Sequence, residues 1–307
     1  MILRIRRGLA KVFAFLHFSL RAALFQLQGF FRETLTIQTK QGRLTVSTRD
    51  HGIAKPLFCT RQFEYDASLH AIRFLKAKGF IPEHPVHMLD VGANIGVIGI
   101  GLALSKEVDS VIAIEPDPTN FALLTRNVEQ NGLSDRITCL QMAAGDQEAT
   151  LTMELSPLNL GDHRVRSNPA SDVIEAHNES SRQTIQVPSM PLDRIMQLPN
   201  IRDSAAARPS MLWIDVQGYE GFIFAGAGAT LRSGIPAVAE VWPYGIVRAG
   251  MTLDQFTNIV SGIWSDYWIE RRGRFVRYPI SVFDRYLDEL GNGNYFENVI
   301  FTKSAPR

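Results

Sequence analysis

Apolar positions in the middle of this chain fall into short runs separated by segments of helical periodicity. Strands are predicted over 86–91, 110–115, 136–142, 210–216 and 236–242, and helices over 95–105, 118–131 and 219–233. Such alternation predicts an α/β fold, a parallel sheet with helices on both faces. Residues 148–155 and 184–190 alternate apolar with polar positions and predict an added antiparallel pair. Between them, 156–183 is polar and without a period; a loop of that length in a compact unit usually carries function or lacks order. The segment 295–302 reads as a closing strand. Upstream, Leu35, Ile37, Leu44 and Val46 flank Gln41-Gly42 and predict a hairpin over 34–48. Phe63, Ala67, Ile72 and Leu75 mark the apolar face of a helix over 61–79. Pro82 and Pro85 then punctuate the chain. The expected organisation is an N-terminal helix at 1–33, a small capping region at 34–82, and a main domain at 83–307 carrying an inserted loop at 156–183.

The first 31 residues differ from the rest. They hold Arg4, Arg6, Arg7, Lys11 and Arg21, six phenylalanines, and no acidic residue. Uncharged stretches there reach about ten residues, half of what a membrane-spanning helix needs. Two expectations stand for this basic, apolar helix. It lies on an anionic membrane surface, or it packs on the protein's own core or a second subunit.

Composition narrows the field. With 32 Lys and Arg against 31 Asp and Glu, and no basic stripe with interleaved aromatics in the core, a nucleic-acid partner is not expected. Cys59 and Cys139 are the only cysteines and lack metal-type spacing, which fits a reducing, cytoplasmic setting. The oligomeric state is not legible.

The chemistry begins at Asp90-Val91-Gly92-Ala93-Asn94-Ile95-Gly96. A strand, a glycine turn, a helix and a second strand ending on Glu115-Pro116 make the layout of a nucleotide-type cofactor site. Gly92 permits a sharp bend against a ligand, and Gly96 lets helix and strand approach. Glu115 lies about 23 residues past Gly92, the usual reach for a carboxylate gripping ribose hydroxyls. Asn94 replaces the glycine that would clear room for a pyrophosphate, and Asp90 before the turn repels phosphate. Asp90 suits instead a ligand with an ammonium and a sulfonium, S-adenosylmethionine. The expected cofactor residues are Asp90, Gly92, Ala93, Asn94, Gly96, Glu115, Pro116 and Ala143.

In five segments the sequence resembles the FkbM-type family of class I S-adenosylmethionine-dependent methyltransferases. They are Asp90 to Gly96, Ala113 to Pro116, Asn127 to Leu133, Ala143 to Asp146, and Ile214 to Glu220 with Ala225-Gly226-Ala227 after it. The resemblance implies a Rossmann-like, mostly parallel sheet with an antiparallel C-terminal strand, here with an N-terminal helical and hairpin extension. It also implies methylation of a hydroxyl on a sugar, glycolipid or related acceptor. This chain departs from the family at Trp213 and Gln217, where lysine and glutamate are usual. An NAD-dependent oxidoreductase and a degenerate, non-catalytic scaffold remain the rival readings.

Methyl transfer to a hydroxyl asks for alignment and for a base. Asp215, Glu240 and His163 are the candidates. Asp162 is placed to orient His163, and Arg164 to grip an anionic acceptor. No clear second and third metal ligand accompanies Asp215, so no metal site is assigned. Glu220 is expected to cap its helix. Trp242, Tyr244, Trp264, Tyr267 and Trp268 are expected in the core more than in a substrate platform.

Overall fold

The computed structural model describes residues 2–166, 179–291 and 293–304. A long helix α1 (Ile2–Gly29) precedes an antiparallel hairpin, β1 (Thr34–Thr39) with β2 (Gly42–Ser47). Helices α2 (Ala54–Thr60) and α3 (Tyr65–Ala77) lead to β3 (His87–Val91), α4 (Val97–Leu104), β4 (Ser110–Ile114), α5 (Pro118–Gln130) and β5 (Ile137–Leu140). A second, four-stranded sheet comprises β6 (Ala143–Gly145), β7 (Ala149–Leu155), β8 (Arg164–Val165) and β9 (Gln183–Pro191). Short helices α6 (Leu192–Ile195) and α7 (Pro199–Arg202) return the chain to β10 (Met211–Ile214), α8 (Glu220–Ala225) and β11 (Ala237–Val241). It ends with α9 (Pro243–Arg248), α10 (Leu253–Ile263), the hairpin β12 (Asp266–Arg271) and β13 (Arg274–Pro279), α11 (Phe283–Leu290) and β14 (Glu297–Thr302).

The main sheet runs β13-β12-β14-β11-β10-β3-β4-β5. Strands β11, β10, β3, β4 and β5 are parallel, and β14 enters antiparallel between β11 and β12. This is the class I methyltransferase arrangement. Strand register sorts side chains to two cores. Met211, Met88 and Val111 stand in one row and face the hairpin and α3 to α5; Leu212, Leu89 and Ile112 stand in the next and face α8 and α10. The hairpin therefore shares a core with the sheet.

The expected strands and helices form, with differences that have local causes. The helix expected over 219–233 stops at Ala225. There Gly226 presses so close to the β6 backbone that a Cβ on it would lie 1.9 Å from the Gly145 carbonyl oxygen. The strand expected over 136–142 ends at Leu140, and the chain changes sheet, pairing β6 with β9. The pair expected from 148–155 and 184–190 forms as β7 with β9, Met153 opposite Ile185. Of the expected loop 156–183, residues 167–178 lie outside the described residues.

The segment Asn127 to Leu133 earns its residues here. Asn127 is fully buried on α5; its Oδ1 accepts from the Thr45 N–H (2.6 Å), and its Nδ2 donates to the Thr45 (3.1 Å) and Ile95 (2.9 Å) carbonyls. Asn131 holds Arg43 in the same way, accepting from its N–H (2.9 Å) and donating to its carbonyl (2.7 Å). Two amides thus substitute for a neighbouring strand along β2. Replacing Asn127 by leucine leaves several buried backbone groups unpaired. It is expected to cost about 2–4 kcal/mol in urea denaturation, several times the cost at exposed Asn258.

Candidate cofactor and acceptor crevice

The turn after β3 is built on left-handed backbone: Gly92 has φ +83°, Asn94 +50° and Gly96 +86°. The Gly92 and Ala93 N–H groups both donate to the Ile114 carbonyl at 3.0 Å, which stitches the turn to β4. A Cβ on Gly92 would lie 1.9 Å from the Asp215 carbonyl oxygen, so only glycine lets the ends of β3 and β10 converge. Gly96 serves packing, since a Cβ there would meet Ile100 and Leu124 at 2.8 Å.

Glu115 ends β4 with both oxygens engaged. Oε2 accepts from the Asn94 N–H and Oε1 from the Asp117 N–H, each at 2.9 Å. Burial nevertheless pushes its carboxyl up to about 8. Asp117 in turn caps α5 through the Asn120 N–H (2.7 Å), with Pro118 in the first helical turn.

These groups border a crevice of about 280 Å³. Of the expected cofactor residues, Gly92, Asn94, Glu115, Pro116 and Ala143 line it; Asp90, Ala93 and Gly96 do not. Asp90 stands back from that lining, its Oδ2 buried with no hydrogen-bond partner among the described residues. Asp90 shares a row with Ala113 and Trp213, on the face covered by α4. Its Oδ2 lies where a Cβ on Gly99 would be only 2.8 Å away. Burial pushes the Asp90 carboxyl up to about 7, opposed by the Gly99 N–H. Trp213, in the position of the usual family lysine, is likewise buried in the core.

The capping region and the insertion roof the crevice together. The Leu160 carbonyl accepts from Asn94 Nδ2 and Asn120 Nδ2, both at 2.9 Å, while the Leu160 N–H donates to Asp50 Oδ1 at 3.3 Å. Asp50 also collects the Gly52, Ile53 and Ala54 N–H groups at the start of α2. Asn120 Oδ1 is buried with no partner among the described residues, and Asn120 lines the crevice. An unspent acceptor beside Glu115, over a glycine floor, fits the hydroxyl and amino donors of a nucleoside.

Asp215, Gln217 and Glu240 line the same crevice. Gln217 Nε2 donates to Asp215 Oδ1 (2.7 Å) and to Glu240 Oε1 (2.9 Å), so one amide bridges two carboxylates. A glutamate at 217 would offer no such donor. Burial pushes Asp215 up to about 6, against the Gln217 hydrogen bond. Glu240 is raised well above the carboxylate range by burial and then by Asp215. Glu64, which sequence reasoning missed, joins them from the start of α3, on a left-handed backbone at φ +52°. Its side chain is exposed at the crevice, where partial desolvation by the walls and then Asp215 raise its carboxyl. Glu220 is fully buried, and its Oε1 accepts from the Val216 (3.0 Å) and Gly218 (3.3 Å) N–H groups. It caps the loop that carries Gln217.

His163 lines the crevice, but its Nδ1 accepts from the Ser156 N–H at 3.0 Å. Burial lowers its pKa, so the ring is neutral with its proton on Nε2 and presents a donor. No hydrogen bond joins it to Asp162 among the described residues. Asp162 instead binds Arg182 and Arg164, and Arg164 also donates to Glu179 (2.6 Å) and lies 4.6 Å from the Trp242 ring centroid. The expectation that Asp162 orients His163 is corrected: Asp162 and Arg164 tie parts of the insertion to one another, and Arg164, which also lines the crevice, packs on Trp242 of the domain. Among the described residues no three His, Cys, Asp or Glu side chains converge as a metal-binding group. Trp242, Tyr244, Trp264 and Tyr267 are buried, as expected, while Phe296 stands exposed at the crevice rim.

None of the curated proteins is similar enough in sequence to match. Among solved structures, a putative transferase from Pyrococcus horikoshii is 13% identical, with 88% of this chain and 70% of that chain covered and a TM-score of 0.40. A putative tRNA (m1A22) methyltransferase from Streptococcus pneumoniae is 14% identical (76% and 71% covered, TM-score 0.36). A precorrin-6y C5,15-methyltransferase from Geobacter metallireducens is 11% identical (78% and 87% covered, TM-score 0.36). None of these likenesses bears on activity. The model of the methyltransferase FkbM domain matches residues 90–271, more than half of the chain and all of the crevice floor, and the chain belongs to that family.

Proposed function

We propose that this protein transfers the methyl group of S-adenosylmethionine to a hydroxyl of a neutral, sugar-like acceptor. The carrying observation is the carboxylate pair Asp215 and Glu240, bridged by Gln217 and open to the same crevice as Glu115. S-adenosylmethionine supplies an electrophilic methyl group and leaves as a neutral thioether. Glu115 and Asn120 would hold its nucleoside, and Gly92 leaves the floor clear. At the acceptor end, the hydroxyl oxygen bonds to the methyl carbon as the carbon–sulfur bond breaks, and its proton passes to the Asp215–Glu240 pair. A carboxylate raised to about 6 is a suitable base near neutrality. The roof of Leu160 and His163 excludes water, and the His163 Nε2–H is a donor for an acceptor oxygen.

Acceptor charge follows from the same groups. Glu64, Asp215 and Glu240 face the crevice, while Arg164 and Arg182 are committed to Asp162. An anionic acceptor would meet ionised Asp215, whereas a polyol would find hydrogen-bonding carboxyl groups and the exposed ring of Phe296. The test is transfer of labelled methyl from S-adenosylmethionine to fractionated cell extract. Label is expected in a neutral, hydroxyl-rich fraction, as a base-stable ether. Label in amines or carboxylates, or crevice titration by NADH and not by S-adenosylhomocysteine, would overturn the proposal.

A further inference from the structure

Helix α1 has two apolar faces, and only one is used by the fold. Phe25 is fully buried, its ring centroid 5.6 Å from that of Phe58. Arg21 donates to the Phe58 carbonyl from Nε (2.9 Å) and from a terminal nitrogen (2.6 Å). At 100° per residue, the opposite side of the helix carries Leu16, Leu20, Leu24 and Leu27, spaced by four, four and three. These four are 59%, 64%, 42% and 49% exposed. Phe30 and Phe31 extend the apolar surface just past the helix, both exposed. The same recurrence continues upstream in the sequence at Val12, Leu9, Ile5 and Ile2.

The charge around this stripe is of one sign. Arg4, Arg6, Arg7, Lys11, Arg21 and Arg32 precede the first acidic residue, Glu33. Among the described residues no helix is long and apolar enough to cross a membrane. An exposed leucine stripe on a basic, non-spanning helix fits one surface, a bilayer with anionic headgroups. The leucines enter the acyl boundary, and the basic residues other than Arg21, which Phe58 holds, are drawn to the phosphates. A second copy would set six positive charges against six.

We infer that α1 is a membrane-surface anchor that binds anionic bilayers in the plane of the interface. It docks against α2, and Gly52 and Ile53, just before α2, line the crevice. The anchor therefore brings a wall of the crevice close to the bilayer, where a lipid-linked acceptor would be presented. Membrane binding does not depend on the methyl-transfer reading.

The test is flotation of the full chain with vesicles of phosphatidylcholine alone and with about one-third phosphatidylglycerol, at low and high salt. Binding is expected to rise about tenfold or more with the anionic lipid and to fall with salt. The variant Leu20→Glu/Leu24→Glu, altered only at exposed positions, is expected to lose about tenfold or more of that binding. Its affinity for S-adenosylhomocysteine should be unchanged, which reports an intact domain. Wild-type protein that fails to float with anionic vesicles, or a variant that floats equally well, would overturn the anchor. So would a wild-type dimer in solution that the variant converts to monomer, since a second copy would then cover the stripe.

Discussion

Replacing Glu115 with alanine is expected to weaken S-adenosylhomocysteine binding by about 10²–10³-fold in isothermal titration calorimetry. Glu115 is the carboxylate placed for the ribose hydroxyls, and each charge-assisted hydrogen bond lost is worth about 1.5–3 kcal/mol. Part of the loss comes from the freed Asn94 and Asp117 N–H groups, which Glu115 now holds at 2.9 Å. Glu115→Gln keeps one of these two acceptors while the charge is gone, so it removes the charge with less disturbance of the turn than alanine. The wild-type protein should also show a defined pH dependence. Burial holds the free carboxyl up to about 8, so at pH 6 it is mostly protonated. Hydroxyl donors favour its ionised form, so binding releases a proton. Affinity should rise by up to about tenfold per pH unit on approaching pH 8 and level off above it. Glu115→Gln should bind weakly with no such slope. A wild-type affinity independent of pH from 6 to 9, or a Glu115→Ala variant that binds as tightly as wild type, would remove Glu115 from the site.

Asp215→Asn should lower kcat for methyl transfer by about 10²–10⁴-fold while affinity for S-adenosylhomocysteine is retained. The acceptor proton needs a carboxylate, and asparagine keeps the shape without the basicity. In the wild-type enzyme kcat should rise with pH up to about 6, the level to which burial pushes Asp215, and level off above it. Glu240 is raised well above that level and stays protonated through the limb, so Glu240→Gln should leave the limb nearly in place. Gln217→Glu tests the bridge. It replaces a donor shared by Asp215 and Glu240 with a third carboxylate, so the limb should move upward with little change in fold. A flat pH profile in all four proteins would show that neither carboxylate receives the proton.

The sequence by itself determined the order of strands and helices, the glycine turn, the helix over 118–131 and the position of Glu115. Each is local: a period, a φ requirement or a strand end lies within a few residues of its cause. The tail strand was legible in the same way, and its antiparallel entry between β11 and β12 was expected from the family resemblance. The long-range features were not legible. Asp90 reads as a ligand group from its place before the turn; that strand register sets it back under α4 is not readable there. Arg164 and Asp162 read as free catalytic partners, yet Arg182 and Glu179, on the far side of the insertion, claim them. Glu64 gives no local signal, because its value lies in facing Asp215 across the crevice from a different element. Which face a side chain takes, and which charge stands opposite it, depends on pairing between distant segments; the tertiary structure alone decided that, and with it the chemistry of the acceptor end.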